Sequence, residues 1–176
     1  MTDKHTHTAP RHIRREIGRL YEDFNVGDVY EHIPGRTISE ADNTWFTLLT
    51  MNQHPLHFDA VYAAGTEFGR PVVNSALTLS IVTGMSVADV SGRAIANLGW
   101  TGIRLPAPVF VGDTLYAQSE VLTKRESKSR PEAGIVTVRT TGAKANAGRS
   151  AADTSRDIVV ISFERTILVP KAQAGK

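Results

Sequence analysis

Two short stretches of the sequence carry side chains and backbone that could do chemistry. The first is Asn52-Gln53-His54-Pro55-Leu56-His57. Pro55 fixes the backbone ahead of His57, and an imidazole with an ordinary pKa of about 6.5 is suited to proton transfer near neutrality. The second is Val72-Val73-Asn74-Ser75-Ala76, which leads into a run almost free of charge, Ala76 to Val87. If that run is a helix, its first N–H groups lack intrahelical partners and favour an anionic oxygen. A proton carrier beside amide donors is what acid–base chemistry alpha to a carbonyl requires.

Other chemistries are poorly served. His54-x-x-His57 with His32 or Asp59 could suggest zinc, but the spacing is not that of common zinc ligand pairs, and no metal is expected. Ser75 has no Gly-x-Ser-x-Gly elbow around it and reads as the start of a helix rather than a nucleophile. Asn52 is also a good residue to end a helix. Arg104 fits either a supporting role at the site or a side chain snorkelling from a strand.

The elements that must position these groups belong to one domain. The chain has 176 residues, 41% hydrophobic and 22% charged, a composition ordinary for a globular protein with one sizeable core. It has no cysteine, which excludes disulfides and thiolate metal sites. The net charge of +2 is spread along the chain, so a nucleic-acid partner is not expected. No apolar run approaches the roughly 20 residues needed to cross a bilayer, and no membrane association is expected. Residues 1–15, polar and holding the basic cluster Arg11, His12, Arg14 and Arg15, are expected to form a disordered tail without a secretory core. A cytoplasmic location is the default, with residues 16–176 as the folded domain.

Periodicity orders the rest. Val29 to Ile33 is a short strand, Pro34-Gly35 a turn, and Arg36 to Ile38 extended again. Ser39 with Asp42 makes an imperfect capping box for a helix over about Glu40 to Thr50, with Trp45, Phe46, Leu48 and Leu49 on its apolar side. A short helical turn follows at Ala60 to Thr66. The run Ala76 to Val87 is apolar on nearly every side, the signature of a helix buried all round. Strands follow at 94–104, 114–124, 135–141 and 158–169, with residues 142–157 as a long hairpin excursion. Strands in series rather than in βαβ alternation indicate an α+β fold, a curved antiparallel sheet wrapped around the buried helix.

At the two chemical stretches the sequence resembles the MaoC-like hydratases (hydratase 2, or R-specific enoyl-CoA hydratases). Their motif Asp-x-Asn-Pro-(Leu/Ile/Val)-His is matched by Asn52 to His57, with Asp59 two residues on. Their Pro-Val-Val-His-Gly-Met-Leu is matched by Pro71 to Leu77, and their Arg-Phe-x-x-Pro-Val-x-x-Gly-Asp-Thr-Leu by Arg104 to Leu115. The resemblance covers about residues 21–171. It implies a hot-dog fold, a homodimer or larger homo-oligomer, and a hydro-lyase acting on a 2-enoyl or 3-hydroxyacyl thioester of coenzyme A. The Thr50-Met51-Asn52 variant looks like the subgroup handling branched dicarboxylyl thioesters of the mesaconyl-CoA type. No cofactor is implied, since coenzyme A is part of the substrate.

Two departures bear on the mechanism. Asn52 stands where the family has a catalytic Asp, and Asn74-Ser75 where it has His-Gly. The expectation is that His57 moves protons between water and Cα, while Asn52 holds the water. The N–H of Ser75 or Ala76 would meet the thioester oxygen, and Pro55 and Asn74 would complete the substrate-binding set. His54 replaces a turn-fixing Asn and is expected to be structural. Two alternatives stand beside this: a hot-dog thioesterase, and a non-catalytic subunit that binds acyl-CoA.

Overall fold

The computed structural model describes residues 17–145 and 157–172; the expected tail, 1–15, lies outside them. Five strands, β1 (Val29–Thr37), β2 (Ala96–Arg104), β3 (Thr114–Glu126), β4 (Ala133–Lys144) and β5 (Ile158–Pro170), form one sheet in the order β1-β3-β4-β5-β2. Every neighbouring pair is antiparallel. Three helices, α1 (Glu40–Leu49), α2 (Ala60–Ala64) and α3 (Ser75–Met85), lie between β1 and β2 in the chain, and α3 packs on β1, β3 and β4. This is the α+β, antiparallel, helix-on-sheet arrangement expected from the pattern.

The strands form where alternation places apolar residues on one face. On β3, Leu115, Ala117 and Val121 point into the core; on β4, Val136 and Val138; on β5, Ile161, Phe163, Ile167 and Val169. One core cluster joins Leu115, Ile161 and Phe163 to Val73, Leu77 and Val82 from the α3 region, and the other surrounds Phe24. Burying each such side chain is worth about 1.5–3 kcal/mol against leaving it exposed.

Several expectations need correction. Pro34-Gly35 does not end the first strand: β1 runs through to Thr37, with its pairing to β3 irregular between His32 and Arg36 and a cis Ile33–Pro34 bond. At a sheet edge, proline's missing N–H breaks no ladder bond. Gly35 is required there by close approach, because a Cβ would lie 2.5 Å from the Tyr116 ring. Strand β4 extends to Lys144, taking the first residues of the expected hairpin excursion, whose middle falls outside the described residues.

Helix α1 begins where the capping box places it. Ser39 Oγ accepts from the Asp42 N–H, and Asp42 accepts from the Ser39 N–H at 2.8 Å. Its inward face, however, is Asn43 and Thr47, while Trp45 (70% exposed), Leu48 and Leu49 face outward. Hydrogen bonding rather than hydropathy sets its rotation, as the site below explains. Helix α3 likewise is not buried all round. Leu77, Thr78 and Val82 face the sheet, but Ser75, Ala76, Ser80 and Gly84 are exposed, because the sheet curves around one side only.

Candidate active site

The loop between α1 and α2 is built from side chains that satisfy their own backbone. Met51 takes a left-handed conformation (φ 55°) past the end of α1, and the Asn52 N–H donates to Thr47 O. Asn52 Oδ1 accepts from the His54 N–H at 3.0 Å, and His54 Nδ1 accepts from the Leu56 N–H at 3.1 Å. Pro55 opens a single 3-10 turn, Pro55–His57, whose carbonyl accepts from Phe58 and Asp59. Such short Asx-type closures are how polar side chains compete with regular structure.

His57 is then fixed by its neighbour strand. Its Nδ1 lies 2.9 Å from Val72 O, and the Val72 N–H donates to Leu56 O at 3.1 Å. A carbonyl can only accept, so Nδ1 carries a hydrogen, and in the neutral ring Nε2 is the acceptor nitrogen. Asn43, 2% exposed, holds this arrangement from below. Its Nδ2 donates to His57 O at 2.8 Å, and its Oδ1 accepts from the Asn74 N–H at 2.9 Å. One buried amide therefore sets the spacing between the histidine loop and the entrance to α3.

Asn74 caps α3 from a buried position. Its Oδ1 accepts from the Ala76 N–H at 2.9 Å and its Nδ2 reaches Thr47 Oγ1 at 3.5 Å. The Ala76 N–H is thus already taken. Neither the Ser75 nor the Leu77 N–H makes a hydrogen bond with another described residue, and of these two residues it is Ser75 that faces the cleft described next.

A cleft of about 290 Å³ opens at this point, lined by His57, Ser75 and Thr78. Leu56, Phe68, Val72 and Val73 form one apolar wall, and Leu105 to Val109, beyond the end of β2, form the other. The structure thus brings His57 and Ser75 together. Asn52, Pro55, Asn74 and Ala76 do not line the cleft. Asn52 Oδ1 accepts from the His54 N–H, Asn74 Oδ1 caps α3, and Pro55 shapes the turn. His54 is engaged with Leu56 and stacks edge-on to Tyr62. Arg104 is exposed, bonded to Ile103 O, and is not part of the cleft. No group of three His, Asp or Glu side chains among the described residues is placed to hold a metal ion.

Sequence reasoning missed Asn43, Thr78 and the wall from Leu105 to Val109. Asn43 and Thr47, one turn apart inside a helix, were the signal: neither is a strong helix former, and both are kept for hydrogen bonds.

A second polar cluster lies beyond the far end of α3. His32 Nδ1 meets Asp89 Oδ2 at 2.9 Å, and Nε2 meets Ser119 Oγ at 2.8 Å, which in turn bonds Thr140. Arg165, also buried, donates to Ser86 at the end of α3. Burial holds the His32 pKa below its ordinary value, against the raising effect of Asp89 and with help from Arg165. With Ser119 and His32 both fully enclosed, this serine–histidine–aspartate chain is a structural network without access for a substrate.

Comparison with known proteins agrees with this architecture. A family model described as mesaconyl-CoA hydratase matches residues 1–176. The beta-methylmalyl-CoA dehydratase of Chloroflexus aurantiacus is 34% identical over 154 residues, which are 88% of this chain and 41% of that protein. A crystal structure of a MaoC domain protein from the same organism, described as a dehydratase, superposes with a TM-score of 0.81 at 31% identity, covering 94% of this chain and 44% of that one. A Mycobacterium tuberculosis protein described as having a double hot-dog fold matches at TM-score 0.75 and 25% identity, over 90% of this chain and 46% of that one. The chain spans less than half the length of each of these three relatives. No helix among the described residues is long and apolar enough to cross a membrane. The sheet order, the motif loop holding His57 and these matches together assign the chain to the mesaconyl-CoA hydratase family, with a MaoC-like hot-dog fold.

Proposed function

We propose that the chain is a hydro-lyase that adds water to, or removes it from, a 2-enoyl-CoA thioester, of the branched dicarboxylyl kind that the family description names. The observation that carries this reading is the pairing of His57, with its Nε2 left as acceptor, and the Ser75 N–H in one apolar cleft. In the hydration direction Nε2 takes a proton from water as the water oxygen bonds to Cβ. Electron density moves onto the thioester oxygen, which the Ser75 N–H stabilises. The imidazolium then returns its proton to Cα, leaving the 3-hydroxyacyl thioester and neutral His57. A donor of the Ser75 kind is worth about 3 kcal/mol in the transition state, and the acid–base step about 10²–10⁴-fold.

A panel of crotonyl-CoA and branched or dicarboxylic enoyl-CoAs, followed by loss of enoyl-thioester absorbance, tests the assignment. Turnover that survives His57→Ala at the wild-type rate would refute it. A thioesterase with a carboxylate base is disfavoured, since no carboxylate among the described residues lines the cleft. A non-catalytic acyl-CoA-binding subunit is favoured by one fact, that among the described residues His57 is the only ionisable one lining the cleft. Tight binding of CoA esters without turnover across the panel would select it.

The reading includes association with a second copy. Strand β2 is a sheet edge whose Leu98, Trp100 and Ile103 are exposed, and Ile95 and Leu105 continue the apolar surface. Open apolar edges invite pairing. The chain also spans 46% of a solved structure described as having a double hot-dog fold, in which two such units share one chain.

A further inference from the structure

The cleft contains a chemical gap: among the described residues that line it only His57 is ionisable, so an anionic substrate meets no fixed cation from them inside. Cations stand next to lining residues instead. Arg70 lies between Phe68 and Val72, both of which line the cleft. Its guanidinium carbon sits 4.1 Å from the centroid of the Phe110 ring. Phe110 follows the lining residue Val109 and is bridge-paired with Val72, the residue whose carbonyl orients His57. Lys144 approaches the same ring at 5.2 Å, but its ammonium is committed to Asp113 Oδ2 at 3.0 Å and Pro108 O at 2.9 Å. Arg70 is exposed and makes no hydrogen bond or ion pair with another described residue. The ring holds the side chain there without using any of its N–H donors, so the guanidinium is pre-positioned and unspent.

We propose that Arg70, seated on Phe110, is the anion anchor of this site and receives the anionic end of the thioester. The inference rests on the thioester reading above. The shared chemistry is a phosphate or carboxylate oxygen group gripped by a guanidinium, and two parts of such a substrate offer it: the phosphates of coenzyme A and the free carboxylate of a dicarboxylyl chain.

Arg70→Met keeps an apolar cover on Phe110 while removing charge and donors, and Arg70→Lys restores the charge. Both are compared with wild type in kcat/KM for crotonyl-CoA, mesaconyl-CoA and the two matching pantetheine thioesters, and in calorimetric Kd for free coenzyme A and mesaconyl-pantetheine. The expected loss in Arg70→Met is about tenfold or more, carried mainly by KM, partly rescued by Lys and reduced at high salt. If phosphate is the anion, the loss appears with both CoA thioesters, disappears with both pantetheine thioesters, and free coenzyme A binds more weakly. If the carboxylate is the anion, the loss is confined to the mesaconyl thioesters on either carrier. Unchanged kinetics with all four substrates overturn the proposal. A protein that turns over none of them fails the hydro-lyase reading instead; weaker binding of coenzyme A or mesaconyl-pantetheine by Arg70→Met then still supports the anchor, and unchanged binding of both rejects it.

Discussion

The Asn43 side-chain amide donates to the backbone carbonyl of His57 across 2.8 Å from a position only 2% exposed. The same amide accepts from the Asn74 N–H, so Asn43 acts as a bracket between the His57 loop and the helix entrance. Asn43→Ala would leave a buried N–H and a buried carbonyl without partners, costing about 1–3 kcal/mol. Urea denaturation should show that loss, together with a drop in kcat larger than any change in KM. Wild-type kcat in a folded Asn43→Ala protein would mean that the bracket does not set the geometry of the site.

His57 and Asn52 should separate cleanly. His57→Ala should lower kcat/KM about 10²–10⁴-fold with little effect on stability. Asn52→Ala removes a turn-closing acceptor outside the cleft, so it should cost about 1 kcal/mol of stability and less than about tenfold in turnover. A collapse of activity in Asn52→Ala equal to that of His57→Ala would return Asn52 to the chemistry.

His32 predicts a pH dependence of stability. Its folded pKa is lowered, first by burial, so the unfolded chain binds more protons on the acid side of its ordinary value. Stability from this group is complete above about pH 6.5 and is lost as pH falls below it. Protonation there would also place a second cation near buried Arg165. The urea midpoint should fall between about pH 7.5 and about pH 5.5 in wild type, and less so in His32→Gln. Parallel profiles for the two proteins would assign the acid sensitivity elsewhere.

The exposed apolar edge gives a test of association. Trp100→Glu and Leu98→Lys place charge on the face proposed to meet a second copy. Sedimentation should shift toward the monomer in both variants while circular dichroism stays unchanged. A wild-type protein that sediments as a monomer at all concentrations would remove the need for that contact.

The legible and illegible parts of the molecule divide along physical lines. Strands β3, β4 and β5 could be read because alternation reports burial directly, and the capping box of Ser39 and Asp42 marked the start of α1. His57 could be read because a proline turn and a motif surround it. The rotation of α1 could not, since hydropathy favours burying Trp45, Leu48 and Leu49, whereas long-range hydrogen bonds draw Asn43 and Thr47 inward. The cleft's second wall was invisible for a related reason. Leu105 to Val109 joins the site only through the fold, and nothing local in Pro106-Ala107-Pro108 announces it.

That second wall also separates two properties that many enzymes must tune together. The His57 loop and the entrance to α3 are tied by one bracket, whereas Leu105, Pro106 and Ala107 come from a different stretch of chain. Exchanging those three for larger or smaller residues would resize the cleft while leaving His57 and Ser75 in register. On the proposed reading, a change in which acyl group fits is therefore most accessible to mutation on that side, with His57 and Ser75 left as they stand.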